Sequence, residues 1–385
     1  MRIDAHIHYT PPSLADNLAH FSEQEPYWGL LVTPKANNQR SLQGWVTTER
    51  MIEDMDRAGL DKIILVGEYF QQHESCVTRN DQALEIIKRW PERVIALATI
   101  QPKAGSAALD ELKRCVEAGL HGVGELNPYA QGFDLNDPDF LRLIETCIVH
   151  DLPVNLHVSE EIGLYYPGKS TTPLRHYYWL AQRYPELKLI LAHWGGGLFF
   201  YEIIPQVGQE LKNVWYDTAA SPLLYPTDKI FRVAVQCLDH RKILYGSDYP
   251  LRIYPRRQQE PDLHHFIEEI NALNLDRQVF KDIMGHNAAH LFGLLVQNET
   301  NLTAPPANPL QRFETAPGSI IGTMAISLVA TAWPETQAVF EKYGIPWLDR
   351  AVPFWEPISQ AAAARGWNPQ AQQRLLAELN EAMSD

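Results

Sequence analysis

The run RIDAHIH, residues 2–8, is the first of eight short apolar runs that organise the chain. The others are KIILVG (62–67), VIALATI (94–100), HGVGEL (121–126), PVNLHV (153–158), LKLILAH (187–193), NVWYD (213–217) and KILYGSD (242–248). Most lack strict alternation of apolar and polar residues, as expected for strands covered on both faces. Segments with helical spacing separate them, most clearly TERMIEDMDRAG (48–59), NDQALEIIKRWP (80–91), SAALDELKRCVEAG (106–119) and PDFLRLIETCIVHD (138–151). Gly59 and Gly119 sit where helices stop, Pro91 follows a third helix, and Asp137 or Asp139 can cap the next. Eight strands alternating with helices predict an α/β fold, a (β/α)8 barrel. A doubly wound open sheet is the competing architecture, and the count of eight favours closure.

Two connections at C-terminal strand ends are long. One spans about residues 9–46 with Pro11, Pro12, Trp28 and Trp45, and the other contains EEIGLYYPGK (160–169). In barrels such loops build lids or substrate walls, and an oligomer contact is the alternative. After LFGL (291–294) the composition changes. The barrel is assigned to residues 1–296, a Pro-rich linker to 297–318, and a small all-α domain to 319–385. Within the last, QAQQRLLAELNEAM (370–383) reads as a terminal amphipathic helix.

Composition limits function. The chain of 385 residues carries 33 Lys+Arg against 47 Asp+Glu, a formal charge of −14. Such a balance disfavours nucleic acid and anionic membrane as partners, because both require clustered positive charge. No basic-then-apolar leader and no apolar run of about 18 residues is seen, so a soluble, cytoplasmic protein acting on a small molecule is expected. Cys76, Cys115, Cys147 and Cys237 form no C-x-x-C pair and read as reduced, packed thiols. The sequons at Asn298 and Asn301 read as chance.

The ionisable residues fall at strand ends. His6 and His8 are two apart on the first strand, so their imidazoles share a face. His157 ends the fifth strand, His193 the sixth and Asp248 the eighth, and Glu125 lies near the end of the fourth. An isolated H-x-H or strand-end histidine is more often chance or structure than a ligand. Six such groups at one barrel mouth need a common counter-charge, however, and a divalent cation supplies it.

These motifs, HIH (6–8), NLHV (155–158), LAHWGGG (191–197), LYGSDYP (244–250) and GHNAAHLFGL (285–294), resemble the amidohydrolase superfamily. Within it they are similar to the amidohydrolase-related group of aminocarboxymuconate-semialdehyde decarboxylase, pyrone-dicarboxylate lactonase and resorcylate decarboxylases. The resemblance covers residues 1 to about 295. It implies His6, His8, His157 and Asp248 as metal ligands, and His193 as a second-site ligand or catalytic imidazole. Asp248 is also implied as the catalytic proton shuttle, and homodimerisation as the assembly. Glu125 is read either as a bridge between two metals or as a carboxylate that orients a ligand histidine from behind. The C-terminal region resembles a small helical domain of unknown function associated with hybrid-cluster proteins, without that domain's paired cysteines.

The expected activity is metal-dependent hydrolysis, with metal-bound hydroxide attacking a C–N or C–O bond of a small acidic or cyclic substrate. In that scheme Asp248 moves the proton and His193 polarises the scissile group. The alternative is a nonoxidative metal-dependent decarboxylase, or hydratase, of a small unsaturated or aromatic acid. A non-catalytic ligand-holding barrel is the third class. N/O ligands accept several metals, with zinc expected at one or two ions per chain. Trp194, Trp28, Tyr165 and Tyr166 are candidates to line a flat, aromatic substrate pocket, and Arg252, together with Arg256 and Arg257, to bind a substrate carboxylate. The glycines at 195–197 are read as permitting close backbone approach beside His193. His286 and His290 are read as structural, and Asn287 as a helix cap.

Overall fold

In a computed structural model the eight runs form eight parallel strands. They are β1 (Ile3–Ile7), β2 (Lys62–Leu65), β3 (Val94–Ala96), β4 (Val123–Leu126), β5 (Val154–Leu156), β6 (Leu189–Leu191), β7 (Val214–Asp217) and β8 (Ile243–Leu244). The structure describes residues 1–33, 41–166 and 169–294, and in the C-terminal region 319–322, 324, 326, 329–330, 333–347 and 357–384. Ladders run β1-β2-β3 and β4-β5-β6-β7-β8, each pair parallel. Bridges at Ala98/Val123 and Ile7/Tyr249 join the two sets edge to edge. The second seam carries bonds from Ala5 N to Tyr245 O (2.8 Å), His8 N to Tyr249 O (2.7 Å) and Asp248 N to His6 O (2.9 Å). The cylinder is therefore closed, and the open-sheet competitor is excluded.

Burial explains the weak alternation of the runs. Ile63 and Leu65 of β2 join the large core beneath the helices, with Met51, Leu112 and Phe140. Ile64 and Val66 pack on the other side with Ile95, Leu97, Ile190 and Leu244. Both faces are dry, so both are apolar. Ala288, Ala289, Leu291 and Phe292 stop one end of the inner cluster. The active-site residues of a barrel then belong at the opposite rim.

The helix Thr48–Ala58 starts at Thr47, whose hydroxyl accepts from Arg50 N, and ends at Gly59 with φ 67°. The helix Pro138–Val149 is capped by Asp137, which accepts from Asp139 N. The helix His73–Arg89 begins a full two turns before its most periodic stretch. Asn287 is not a cap. Its Nδ2 donates to the carbonyls of His240 and Ile243 (both 2.8 Å), tying the closing helix Asn287–Leu291 to β8.

The long connection after β1 contains the short helices Pro12–Asp16, Leu18–Gln24 and Pro26–Val32. Trp28 and Val32 pack there against Phe70 and Cys76. The C-terminal region contains the helices Thr336–Lys342, Ile358–Ala364 and Pro369–Ser384, which share a cluster including Phe340, Ile358, Leu375 and Leu379. The linker at 297–318 and both sequons lie outside the described residues. Among the described residues no helix is long and apolar enough to cross a membrane.

Candidate metal centre

All six strand-end groups meet at one rim. They form two triads of ligand atoms, His6–His8–Asp248 and Glu125–His157–His193. In the first, His6 Nε2 lies 3.2 Å from His8 Nε2, and His8 Nε2 lies 3.2 Å from Asp248 Oδ1. In the second, Glu125 Oε1 lies 2.8 Å from His157 Nδ1 and 3.3 Å from His193 Nε2, and the two imidazoles are 3.1 Å apart. Glu125 joins the triads, because its Oε2 is 3.7 Å from both His6 Nε2 and His8 Nε2.

Hydrogen bonds fix how these rings present themselves. His6 Nδ1 faces Asp217 Oδ2 at 2.9 Å, and a carboxylate oxygen only accepts, so His6 carries its proton on Nδ1. His193 Nδ1 faces the Ala219 carbonyl at 3.0 Å and is protonated for the same reason. In their neutral forms both rings therefore turn an Nε2 lone pair inward, toward carboxylates and other imidazoles. Lone pairs and carboxylate oxygens at these separations repel unless positive charge lies between them. Ligand atoms about 2.0–2.2 Å from a common zinc-sized ion sit roughly 3 Å apart, close to the spacings in each triad. The residues fit a divalent cation.

The same field moves protons. His193 is pushed up to about 10: burial pulls it down, but the hydrogen bond and charge of Glu125, with Asp248 and Asp217, prevail. Burial alone would raise Glu125, yet the charges of His157 and His6 and the bonds from His157 and His193 hold it well below the usual carboxylate range. The site stabilises positive charge whether proton or metal supplies it.

Local backbone places these side chains. His193 and Asp248 both take left-handed conformations, φ 56° and 67°, just past their strands. The turn continues in that region from Trp194 through Gly197. A Cβ on Gly196 would stand 2.6 Å from Ser159 O, and one on Gly195 would stand 2.8 Å from Tyr216. The glycines permit the close approach expected of them.

The sequence reading missed Asp217, the last residue of NVWYD. It is fully buried, and besides His6 it accepts from the backbone N–H groups of His193 (3.0 Å) and Ala219 (3.1 Å). Its signal was the one that revealed Asp248: a carboxylate at the end of a strand otherwise apolar.

Above the centre lies an open cavity of about 1240 Å³, whose walls include Trp28, Tyr69, Tyr166 and Arg252. Arg252 lines the cavity, and its guanidinium donates to the carbonyls of Gln259 and Ser41. Two expectations need correction. Trp194 has no exposure and donates from Nε1 to Ser221 Oγ (2.8 Å), because the left-handed turn swings its ring into the core. Tyr165 is 85% exposed and is not among the residues lining the cavity, whereas the other two aromatic candidates, Trp28 and Tyr166, are.

Comparison with known proteins bears on the family and the fold. An amidohydrolase family model matches residues 3–294. The 2-amino-3-carboxymuconate-6-semialdehyde decarboxylase of Dictyostelium discoideum is 21% identical over 352 residues, covering 76% of this chain and 92% of its own. Among solved structures, 5-carboxyvanillate decarboxylase from Sphingomonas paucimobilis gives a TM-score of 0.61 at 17% identity, over 76% of this chain and 98% of that one. A dihydroxybenzoic acid decarboxylase from Polaromonas sp. JS666, solved with manganese and 2-nitroresorcinol, gives 0.55 at 19% identity, over 76% and 97%. The structural likenesses establish the fold. The expectation of a hydrolase is overturned, since these relatives are named as decarboxylases, the alternative reading. With its barrel, its divalent-metal centre and a family match across most of its length, the chain belongs to the amidohydrolase family of enzymes.

Proposed function

We propose that the chain is a metal-dependent, nonoxidative decarboxylase of a small aromatic or unsaturated carboxylic acid. The observation that carries this reading is the place of Asp248: its carboxyl group stands beside the paired imidazoles on the floor of a cavity with aromatic walls. Loss of carbon dioxide without an oxidant needs one proton at the carbon that carries the carboxylate. Protonated Asp248 delivers it, forming a C–H bond. The bond to the carboxylate then breaks, its electron pair restores the ring or double bond, and carbon dioxide leaves. Solvent reprotonates Asp248 for the next turnover.

A bound divalent cation supplies fixed positive charge that orients the substrate's oxygen atoms. His6, His8, His157 and Asp248 would hold it, with Glu125 between the two triads and His193 beside it. Imidazole with carboxylate suits zinc, the metal expected from the ligand types, and also manganese. Trp28, Tyr69 and Tyr166 would give a conjugated substrate flat apolar surface, and Arg252 in the cavity wall would pair with a substrate carboxylate.

The test is a product screen of the metal-loaded protein against hydroxybenzoic and unsaturated carboxylic acids, run beside lactones, esters and amides. Carbon dioxide released in step with substrate loss supports the proposal. Turnover confined to the lactone, ester and amide set contradicts it.

A further inference from the structure

The two histidines of β1 differ in what stands behind them. His6 Nδ1 is bonded to Asp217. His8 Nδ1 is buried and, among the described residues, has no hydrogen-bond partner. Glu68, just beyond β2 and 5% exposed, lines the same cavity, and its Oε1 is likewise buried and unbonded. These two atoms face each other at 3.5 Å. Arg79 Nη2 lies 4.0 Å from the same oxygen, and Arg79 Nε is a third buried atom without a partner. Leaving buried donors and acceptors unpaired is costly, and three such atoms on three neighbouring side chains point to one unfinished network.

Arg79 is held firmly. Its Nη1 donates to Tyr9 O (2.5 Å) and Gln82 Oε1 (3.2 Å), and its guanidinium lies over the rings of Tyr9 and Phe70. It is thereby a fixed donor beside Glu68, on the oxygen that faces His8.

We propose that Glu68 is a positioning residue for His8, accepting its Nδ1–H so that Nε2 turns its lone pair to the metal, with Arg79 as the anchor. Shortening the 3.5 Å gap by roughly 0.5 Å brings the pair to ordinary N–H···O length. Each histidine of the H-x-H pair then has its own carboxylate, Asp217 behind His6 and Glu68 behind His8. The inference rests on the reading of His8 as a metal ligand.

The experiment measures zinc and manganese affinity by chelator competition on wild type, Glu68→Gln, Glu68→Leu, Arg79→Lys and His8→Ala, with melting curves of the metal-free proteins and separate kcat and KM values. Gln keeps an acceptor and Leu has none, so affinity falls roughly 10-fold in Glu68→Gln and roughly 100-fold in Glu68→Leu. Arg79→Lys keeps the charge without the fork, and falls less in the same direction. Unchanged affinity with a raised KM in the Glu68 variants would make Glu68 a substrate contact and overturn the proposal. Loss in His8→Ala without loss in the Glu68 variants overturns this inference alone. Wild-type affinity in His8→Ala overturns the ligand reading and this inference with it.

Discussion

Asp217 and His6 form a fully buried pair, Oδ2 to Nδ1 at 2.9 Å, and the other oxygen of the same carboxylate holds the backbone N–H of His193. One side chain thus sets the ring of one triad and the backbone of the other. Asn155 Nδ2 also donates to Oδ2 (3.2 Å), so every contact of Asp217 is a donor. An amide there puts an N–H₂ against one of these donors. Asp217→Asn should weaken metal affinity roughly 10–100-fold while the barrel still folds, as read by chelator competition and circular dichroism. Wild-type affinity would show that His6 does not depend on Asp217.

Asp248→Asn separates holding the metal from moving the proton. An amide oxygen can still take a ligand position, but the group has no acidic proton to give. Measurable metal should remain while kcat falls by roughly 10²–10⁴. Turnover equal to wild type would remove Asp248 from proton delivery.

Metal binding should release protons. Without metal, His193 is raised to about 10, and His6 and His8 are raised as well, so the field of the site favours the protonated form of each ring. Ligation requires the neutral ring, and apparent affinity therefore climbs with pH. The linked stability has a definite sign. In metal-free protein the contribution of His193 is complete below its ordinary value near 6.5 and is lost as pH rises through about 10. Glu125 and Asp217, both lowered, contribute above their ordinary values and lose this in acid. Titration calorimetry in buffers of different ionisation enthalpy measures the proton count, and a count of zero would contradict the electrostatics described.

Gly196→Ala tests the turn beneath His193. The added methyl meets Ser159 O at 2.6 Å in a backbone at φ 59°. Strain of this kind costs about 1–3 kcal/mol. A lowered melting temperature and weakened metal binding together are expected. Loss of neither would show that the turn tolerates a side chain.

The barrel was legible because strands dry on both faces must be apolar, and eight such runs are hard to place otherwise. The six ionisable groups were legible because each interrupts an apolar run at its end. Asp217 and Glu68 obey that rule too, in NVWYD and KIILVGE, and were passed over because neither fits a ligand spacing. Trp194 was misplaced because four consecutive left-handed residues after His193 reverse the chain, which composition does not reveal. Tyr165 and Tyr166 sit in an irregular loop, where no period says which ring faces inward. Read as a bridge between two metals, Glu125 suits the hydroxide attack that hydrolysis needs. The same carboxylate between the triads is compatible with either chemistry, so the ligand set could not choose the reaction.

Turnover of a decarboxylated substrate in heavy water is the most direct test. The account predicts one deuterium in each product molecule, at the carbon that held the carboxylate, with one carbon dioxide released. A product bearing a solvent-derived oxygen, with its carboxylate retained, would contradict it.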